Sequence, residues 1–270
     1  MASIIDTALT CLQHTSSFLS IPREVRNAIY RRVLVLRHPL HLFQNNGSTV
    51  PGPLETFAPE KPARWLALLY VNRQVHAEAS EVLYGLHHFR LADTAQNQAQ
   101  LLRNFVNSIG PGNAGAVSHL SINFPAIERV VSVQGQPGRL GLALTGDGQS
   151  SLAILRENCP NLTILETLIY THGSQSLLYT GGDSHDDLDD QSIREALAQV
   201  DVQLKIISSL RKIIVRFYSG LPAPSVVAAM QGFGWDVYRG DRAKLDTQDA
   251  GRTLQYLPWT TAQDWAVLAR

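Results

Sequence analysis

The chain has 270 residues, of which 44% are hydrophobic and 17% are charged. This composition allows a substantial buried core and excludes an intrinsically disordered protein. The 23 basic and 23 acidic residues give a formal net charge of zero, so composition does not favour binding to nucleic acid or to an anionic membrane.

The N-terminal stretch MASIIDTALTCLQHTSS lacks the basic start and long apolar run of a secretory signal. No apolar run in the sequence approaches the length that spans a membrane. The two cysteines, Cys11 and Cys159, are too far apart in sequence for a disulfide framework or a metal knuckle. We therefore expect a cytoplasmic or nuclear protein.

An amphipathic helix is predicted in SSFLSIPREVRNAIYRRVL, residues 16 to 34. Pro22 suits the first turn of a helix, and the carboxylate of Glu24 is favoured by the positive end of the helix dipole. Val25, Ile29 and Val33 follow at a spacing of four and form an apolar stripe. Periodicity indicates that this stripe packs against a surface, without indicating whether that surface belongs to this chain or to another protein.

The next segments predict a loop or short hairpin, a helix and a strand. Residues 38 to 63 are rich in proline and are expected to form the loop or hairpin. Residues 64 to 85 predict one long helix, with a strand beginning in HHFRL. Because neighbouring residues of a strand point to opposite faces, His87 and His88 are not expected to bind one metal ion with His76.

Two motifs in this region resemble the N-terminal region of the fungal F-box and F-box-like proteins. The first is FLSIPREVRNAIYRRVL, and the second is LALLYVNRQVHAEASEVLYGLHHFRL. The matching residues of the first motif are Ile21-Pro22-Arg23-Glu24-Val25-Arg26 and Ile29-Tyr30. Those of the second motif are Leu68-Leu69, Arg73-Gln74, Glu78-Ala79, Leu83-Tyr84 and Phe89.

This resemblance implies a non-enzymatic adaptor that recruits substrates to a cullin–RING ubiquitin ligase. Helices of this kind dock onto the Skp-family adaptor protein of the ligase, while the rest of the chain captures a substrate protein. The resemblance covers the first third of the chain, so residues 1–92 are expected to form the F-box-like region, with an inserted loop at 38–63. The expected partner-binding residues are Ile21, Pro22, Glu24, Val25, Ile29 and Val33.

Residues 93–270 show a weak repeat of helix followed by strand. Val117-x-x-Leu120-x-Ile122-x-Phe124 has the same apolar pattern as Leu210-x-x-Ile213-x-Val215-x-Phe217, and Leu162-x-x-Leu165-x-Thr167-x-Ile169 partly matches it. A fourth unit is predicted at Val226, Val227 and Met230, followed by GWDVYRG. We expect an α/β fold with a mostly parallel, leucine-rich-repeat-like sheet after the helical N-terminal region. A single α/β domain with generic patterning is the alternative.

The remaining motifs predict neither a cofactor nor a metal ion. The glycine-rich residues 130–145 lack the signatures of phosphate-binding loops and are expected to form a hairpin. The acidic segment GGDSHDDLDD lacks calcium-loop spacing and is expected to be a solvated loop. Thr260 and Gln263 have capping-box spacing and predict a closing C-terminal helix.

No catalytic residue is predicted, because the Gly-x-Ser-x-Gly elbow is absent and Cys159 lies in an apolar pattern that favours burial. Two alternatives to the adaptor stay open. One is a scaffold protein that keeps the fold without binding the adaptor. The other is an enzyme or small-molecule binder, with a site at the carboxyl ends of the strands near residues 124, 170 and 218. His119, His172 or the aspartates from 183 to 190 would converge in that site.

Overall fold

Helices and strands alternate along most of the chain, which confirms the predicted α/β fold. The computed structural model describes residues 17–44, 53–59, 61–91, 97–131, 140–170, 178, 190–218, 220–240 and 243–244. The α-helices in these ranges are α1 (Arg23–Leu34), α2 (Arg73–Leu86), α3 (Gln98–Ala116), α4 (Gly146–Asn158), α5 (Asp190–Lys205) and α6 (Pro224–Gly232). Two short 3-10 helices, Phe18–Ser20 and Trp65–Tyr70, precede α1 and α2.

Eight strands form one mostly parallel sheet in the order β10-β9-β8-β7-β4-β3-β1-β2. Each parallel strand lies beside its predecessor in the chain, so right-handed crossovers place the connecting helices on one face. Within the described part of this sheet, only the two edge pairings, β1 with β2 and β9 with β10, are antiparallel. The strands of this sheet are β1 (Leu40–Gln44), β2 (Leu54–Phe57), β3 (His88–Leu91), β4 (His119–Asn123), β7 (Ile164–Ile169), β8 (Lys212–Phe217), β9 (Asp236–Arg239) and β10 (Ala243–Lys244).

The apolar repeat predicted from the sequence corresponds to the register of the sheet. Leu120 of β4 pairs with Leu165 of β7, which in turn pairs with Ile213 of β8. Matching positions of the repeat therefore lie side by side and point towards the helices. The next row on this face consists of Leu42, Leu91, Ile122, Thr167, Val215 and Val237. The fourth unit is also confirmed, as α6 and β9.

The sheet continues across the boundary predicted between residues 92 and 93. On the N-terminal side, β1 and β3 are parallel neighbours, and β3 pairs with β4 beyond the boundary. Helices α2 and α3 also contact each other across it, and Asn104 donates a hydrogen bond of 2.8 Å to Gln44. One cluster of buried apolar side chains runs from Tyr30 to Val237. The two predicted regions therefore share a sheet and a core.

The helix predicted over residues 64 to 85, with or without a bend, is two separate helices. The chain forms the 3-10 helix Trp65–Tyr70, leaves helical geometry, and begins α2 at Arg73. Asn72 causes the new start, because its extended backbone positions its side chain to accept a hydrogen bond of 2.9 Å from the Val75 amide. Such a side-chain cap satisfies an amide that has no partner inside the helix.

A second small sheet is the hairpin predicted at residues 130–145. It pairs β5 (Ile127–Val131) with β6 (Leu140–Leu144) in antiparallel register, and β6 packs against α5. The predicted loop or hairpin at 38–63 is likewise a hairpin, formed by β1 and β2. The N-terminal segment, the acidic segment up to residue 189, and the C-terminal helix predicted at Thr260 lie outside the described residues.

Two further expectations concern membrane-spanning segments and the burial of Cys159. Among the described residues, none of the helices is long and apolar enough to cross a membrane. Cys159 is fully buried, and burial raises the pKa of its thiol to about 11. Because the thiolate is the nucleophilic form, this residue fills space in the core at neutral pH, as its apolar surroundings predict.

Candidate partner-binding surface

Helix α1 turns its apolar stripe away from the rest of the described chain. The side chains of Val25 and Val33 are 47% and 42% exposed, and Ile29 between them is half-buried. We call Val25, Ile29 and Val33 the outer face of α1. The neighbouring row of side chains, about 100° further round the helix, consists of Arg26, Tyr30 and Leu34 and is buried against the protein.

The other predicted partner-binding residues lie at the start of the same helix. Pro22 and Glu24 are exposed, and Ile21 is half-buried. The carbonyl of Pro22 accepts hydrogen bonds of 3.0 and 3.1 Å from the amides of Val25 and Arg26, so the helix begins immediately after the proline. All six predicted residues therefore lie on or beside one helix, where the described structure leaves Pro22, Glu24, Val25 and Val33 exposed and Ile21 and Ile29 half-buried.

A buried ion pair holds α1 against α2. The Nε and Nη2 atoms of Arg26 donate to the two carboxylate oxygens of Glu78 at 2.8 and 2.5 Å. The exposed fractions of these side chains are only 7% and 10%. The hydrogen bond from Arg26, assisted by one from Gln74, lowers the pKa of Glu78 from 4.5 to about 2.

Two further residues complete this group. The Tyr30 hydroxyl donates to Glu78 at 3.1 Å, and the amide of Gln74 donates to the same carboxylate at 3.1 Å. We call Arg26, Tyr30, Gln74 and Glu78 the anchor network. All four belong to the two motifs that resemble F-box-like proteins, so the polar residues of those motifs meet in one structural contact. No local sequence pattern indicates this pairing, because Arg26 and Glu78 are 52 residues apart.

A second polar cluster lies on the face of the sheet opposite the core. The rings of His88 and His119, which are paired residues of β3 and β4, stack at 3.6 Å between centroids and 7° between planes. Ser121 and Glu166 are paired residues of β4 and β7, and both are buried. We call His88, His119, Ser121 and Glu166 the sheet cluster.

Hydrogen bonds in the sheet cluster run towards the carboxylate. Ser121 donates to Glu166 at 3.3 Å and lies 2.6 Å from the Nε2 atom of His88. Because a hydroxyl has one proton and a carboxylate only accepts, His88 donates from Nε2 to the serine oxygen. Arg216 donates to both oxygens of Glu166, at 3.0 and 3.3 Å, and a nitrogen of Arg90 lies 3.8 Å from it.

The charges of the sheet cluster favour an ionised carboxylate and a neutral imidazole. Burial would raise the pKa of Glu166, but the nearby His119, whose Nε2 lies 3.5 Å away, and the hydrogen bonds from Arg216 outweigh burial and hold this pKa well below its usual range. Burial, with the nearby His119, lowers the pKa of His88 to about 3. The cluster is therefore a buried ion-pair network beside an uncharged histidine.

The ligand atoms of His88, His119 and Glu166 lie within 4.8 Å of one another, so these are the residues that could hold a metal ion. Their geometry does not suit one. Lone pairs of imidazole lie in the ring plane, and two parallel planes share no point where an ion could meet both rings. The guanidinium group of Arg216 also occupies both carboxylate oxygens and would repel a cation.

The sheet cluster does not form a nucleophilic site either. Ser121 is fully buried, and Glu166 contacts the serine rather than the Nδ1 atom of the histidine that would activate it. His119, a candidate for the alternative enzyme site, lies at the amino end of β4 rather than at the carboxyl ends of the strands. His172 and the aspartates from 183 to 189 lie outside the described residues.

The repeat pattern contained a signal for part of this cluster. When the repeated patterns are aligned, Ser121 and Glu166 occupy the same position between two core residues, so they are neighbours on the other face of the sheet. His119 precedes Leu120 and lies on that face too. His88 lies outside the repeat. It joins the sheet cluster because β3 pairs with β4, which places His88 beside His119.

No protein-family model, curated protein or solved structure matches this chain. A functional proposal therefore depends on the contacts described above and on the resemblance of the two N-terminal motifs.

Proposed function

We propose that this protein is an F-box-like substrate adaptor of a cullin–RING ubiquitin ligase. In this proposal, α1 docks onto the Skp-family adaptor protein, and the α/β region behind it presents a surface to a substrate protein. The resemblance of the two N-terminal motifs motivates the choice of partner. The observation that carries the proposal is the exposure of the outer face of α1.

The exposure is informative because a different row of side chains holds the helix in place. Arg26, Tyr30 and Leu34 are the residues of α1 that are buried against the protein, whereas Val25 and Val33 are exposed. Three branched apolar side chains in a row along one helix are an apolar surface of the kind that marks interaction sites. Burying the remaining exposed parts of Val25, Ile29 and Val33 would contribute roughly 3 kcal/mol, or about a hundredfold in Kd.

Charge around the outer face favours a partner with acidic groups at its edge. Arg31 and Arg32 in the last turn of α1 are exposed, as is Arg37 just beyond it. Arg23 in the first turn is paired with Glu81. Charges at the rim of an interface mainly change the association rate, so binding is expected to be faster at low salt than at high salt.

A pull-down with purified Skp-family adaptor tests the proposal. Wild-type protein is expected to retain the adaptor, and the double variant Pro22→Ala/Val25→Asp is expected to lose it. Val202→Asp is a matched control, because Val202 is 58% exposed on α5, far from α1 in the chain. This control should bind as the wild type does. If folded wild-type protein does not bind, the adaptor role is wrong and the scaffold alternative gains support.

A further inference from the structure

One guanidinium group joins three parts of the N-terminal region. While Nε and Nη2 of Arg26 hold Glu78 of α2, its Nη1 atom donates to the backbone carbonyls of Ile21 and, at 3.2 Å, Leu19. Those carbonyls belong to the segment that precedes α1. Arg26 therefore connects α1, α2 and the segment 19–21 in a single buried contact.

The segment before α1 has few other attachments. The 3-10 helix Phe18–Ser20 contains no buried residue, although the ring of Phe18 contacts Tyr30 at 5.9 Å between centroids. Its own hydrogen bonds are local, from the amides of Ser20 and Ile21 to the carbonyls of Ser17 and Phe18. The contacts with Arg26 are thus the main polar connection between this segment and the helices.

We infer that Arg26 is a positioning residue for the partner-binding surface. It fixes Leu19, Ile21 and Pro22 beside Val25, so that a partner meets an ordered apolar surface instead of a loose N-terminal segment. The inference rests on the proposed function. Ordering this segment before binding removes a conformational-entropy cost from the binding step, which raises affinity without adding a contact.

Arginine is suited to this role for a geometric reason. Its planar group presents five N–H donors in a fixed fork, so it can bind a carboxylate with one side and backbone carbonyls with another. A lysine at position 26 keeps the positive charge for Glu78, but its single ammonium group cannot reach the carboxylate and both carbonyls together. Arg26→Lys therefore keeps an ion pair with Glu78 but removes the hydrogen bonds that position residues 19–21.

The test combines amide hydrogen exchange with adaptor affinity on the full chain. In Arg26→Lys, the amides of Ser20 and Ile21 are expected to exchange at least tenfold faster, while those of β4 stay close to the wild-type rates. The Kd for purified Skp-family adaptor should rise at least tenfold. Arg23→Lys is the matched control, because Arg23 joins the same two helices through an exposed pair. It should change both values less than twofold.

Glu78→Gln distinguishes positioning from general stabilisation. This variant weakens the ion pair but leaves the Nη1 atom of Arg26 on its carbonyls, so exchange at Ser20 and Ile21 should stay within twofold of the wild type. If Arg26→Lys folds and its Ser20 and Ile21 amides exchange at the wild-type rate, the inference is wrong. It is also wrong if these amides exchange faster in Glu78→Gln than in the wild type. If Arg26→Lys does not fold, the comparison of Glu78→Gln with the wild type decides. If wild-type protein does not bind the adaptor, the proposed function fails, while exchange still decides the role of Arg26.

Discussion

Two arginines in the first turns of α1 form ion pairs with α2 in different surroundings. Arg23 and Glu81 are 55% and 68% exposed and lie 2.8 Å apart. Arg26 and Glu78 are almost fully buried and share two hydrogen bonds. Exposed pairs contribute about 0–1 kcal/mol, since water screens their charges. Loss of one partner from a buried pair is more damaging, because it leaves the other charge without compensation.

Stability should depend on pH through Glu78. Its pKa is about 2 in the folded protein and 4.5 without its contacts. A lowered carboxyl pKa contributes stability in full above the unfolded value, and this contribution is lost as the pH falls from about 5 towards 2. Urea unfolding should show Glu78→Gln well below the wild type at pH 7, with the difference shrinking from pH 5 to pH 3.

Glu81→Gln is the control for this pH dependence, because Glu81 belongs to the exposed pair on the same two helices. It should follow the wild-type curve at every pH. A Glu78→Gln variant whose deficit stays constant between pH 7 and pH 3 would show that the buried carboxylate is not the origin of the effect.

At the scale of elements, the sequence predicts where α1 begins and ends better than it predicts its orientation. Pro22 and the spacing of the apolar residues place the helix correctly. The direction of its faces depends on Glu78, which is 52 residues away from Arg26 in sequence. No local pattern contains that pairing. The row that packs against the protein consists of Arg26, Tyr30 and Leu34, and not of the apolar stripe at Val25, Ile29 and Val33.

Apolar periodicity also fails to predict the break between the 3-10 helix Trp65–Tyr70 and α2. Apolar periodicity continues through residues 64 to 85, so it predicts one helix. The competing signal is Asn72, a residue that favours N-cap positions, followed by a favourable first turn. His76 also connects α2 to the 3-10 helix, because its Nδ1 atom donates a hydrogen bond of 2.7 Å to the carbonyl of Leu69. Side-chain capping outweighed periodicity at this point.

Asn72→Ala should destabilise the protein by about 1 kcal/mol, because the amide of Val75 loses its cap. For a chain of this size the melting temperature should fall by about 2–4 °C. Thermal unfolding followed by circular dichroism measures the change. Asn72→Asp is the matched control, since its side chain also accepts a hydrogen bond. Equal losses in the two variants would contradict a capping role.

At the scale of the whole molecule, the repeat accounts for four of the eight strands of the main sheet, β4, β7, β8 and β9. Apolar residues at matching positions of β4, β7 and β8 pair in register, and the order of the strands follows the order of the chain. The N-terminal region is less predictable. Its strands β1 and β3 extend the same sheet as the repeats. The repeat pattern does not predict this, because pairings near the edge of a sheet carry little sequence information.

The continuous sheet predicts a single cooperative unfolding transition. Because β3 pairs with β4 and α2 contacts α3, unfolding of residues 17–91 would expose core side chains of the repeat region. Hydrogen exchange at increasing urea concentrations should therefore give the same midpoint for peptides from α2 and α5. If α2 opens at a clearly lower urea concentration than α5, the two regions unfold as separate units.

In the described structure, Val25 and Val33 of α1 are exposed and Ile29 is half-buried, and we propose that a partner protein covers them. Thiol labelling of Val25→Cys in a Cys11→Ser background measures this directly, since the remaining Cys159 is buried. Without a partner, the thiol should react as fast as an exposed cysteine, and saturating Skp-family adaptor should slow the reaction at least tenfold. Slow labelling of the free protein would contradict the outward orientation. Fast labelling that the adaptor does not change would contradict docking through this face.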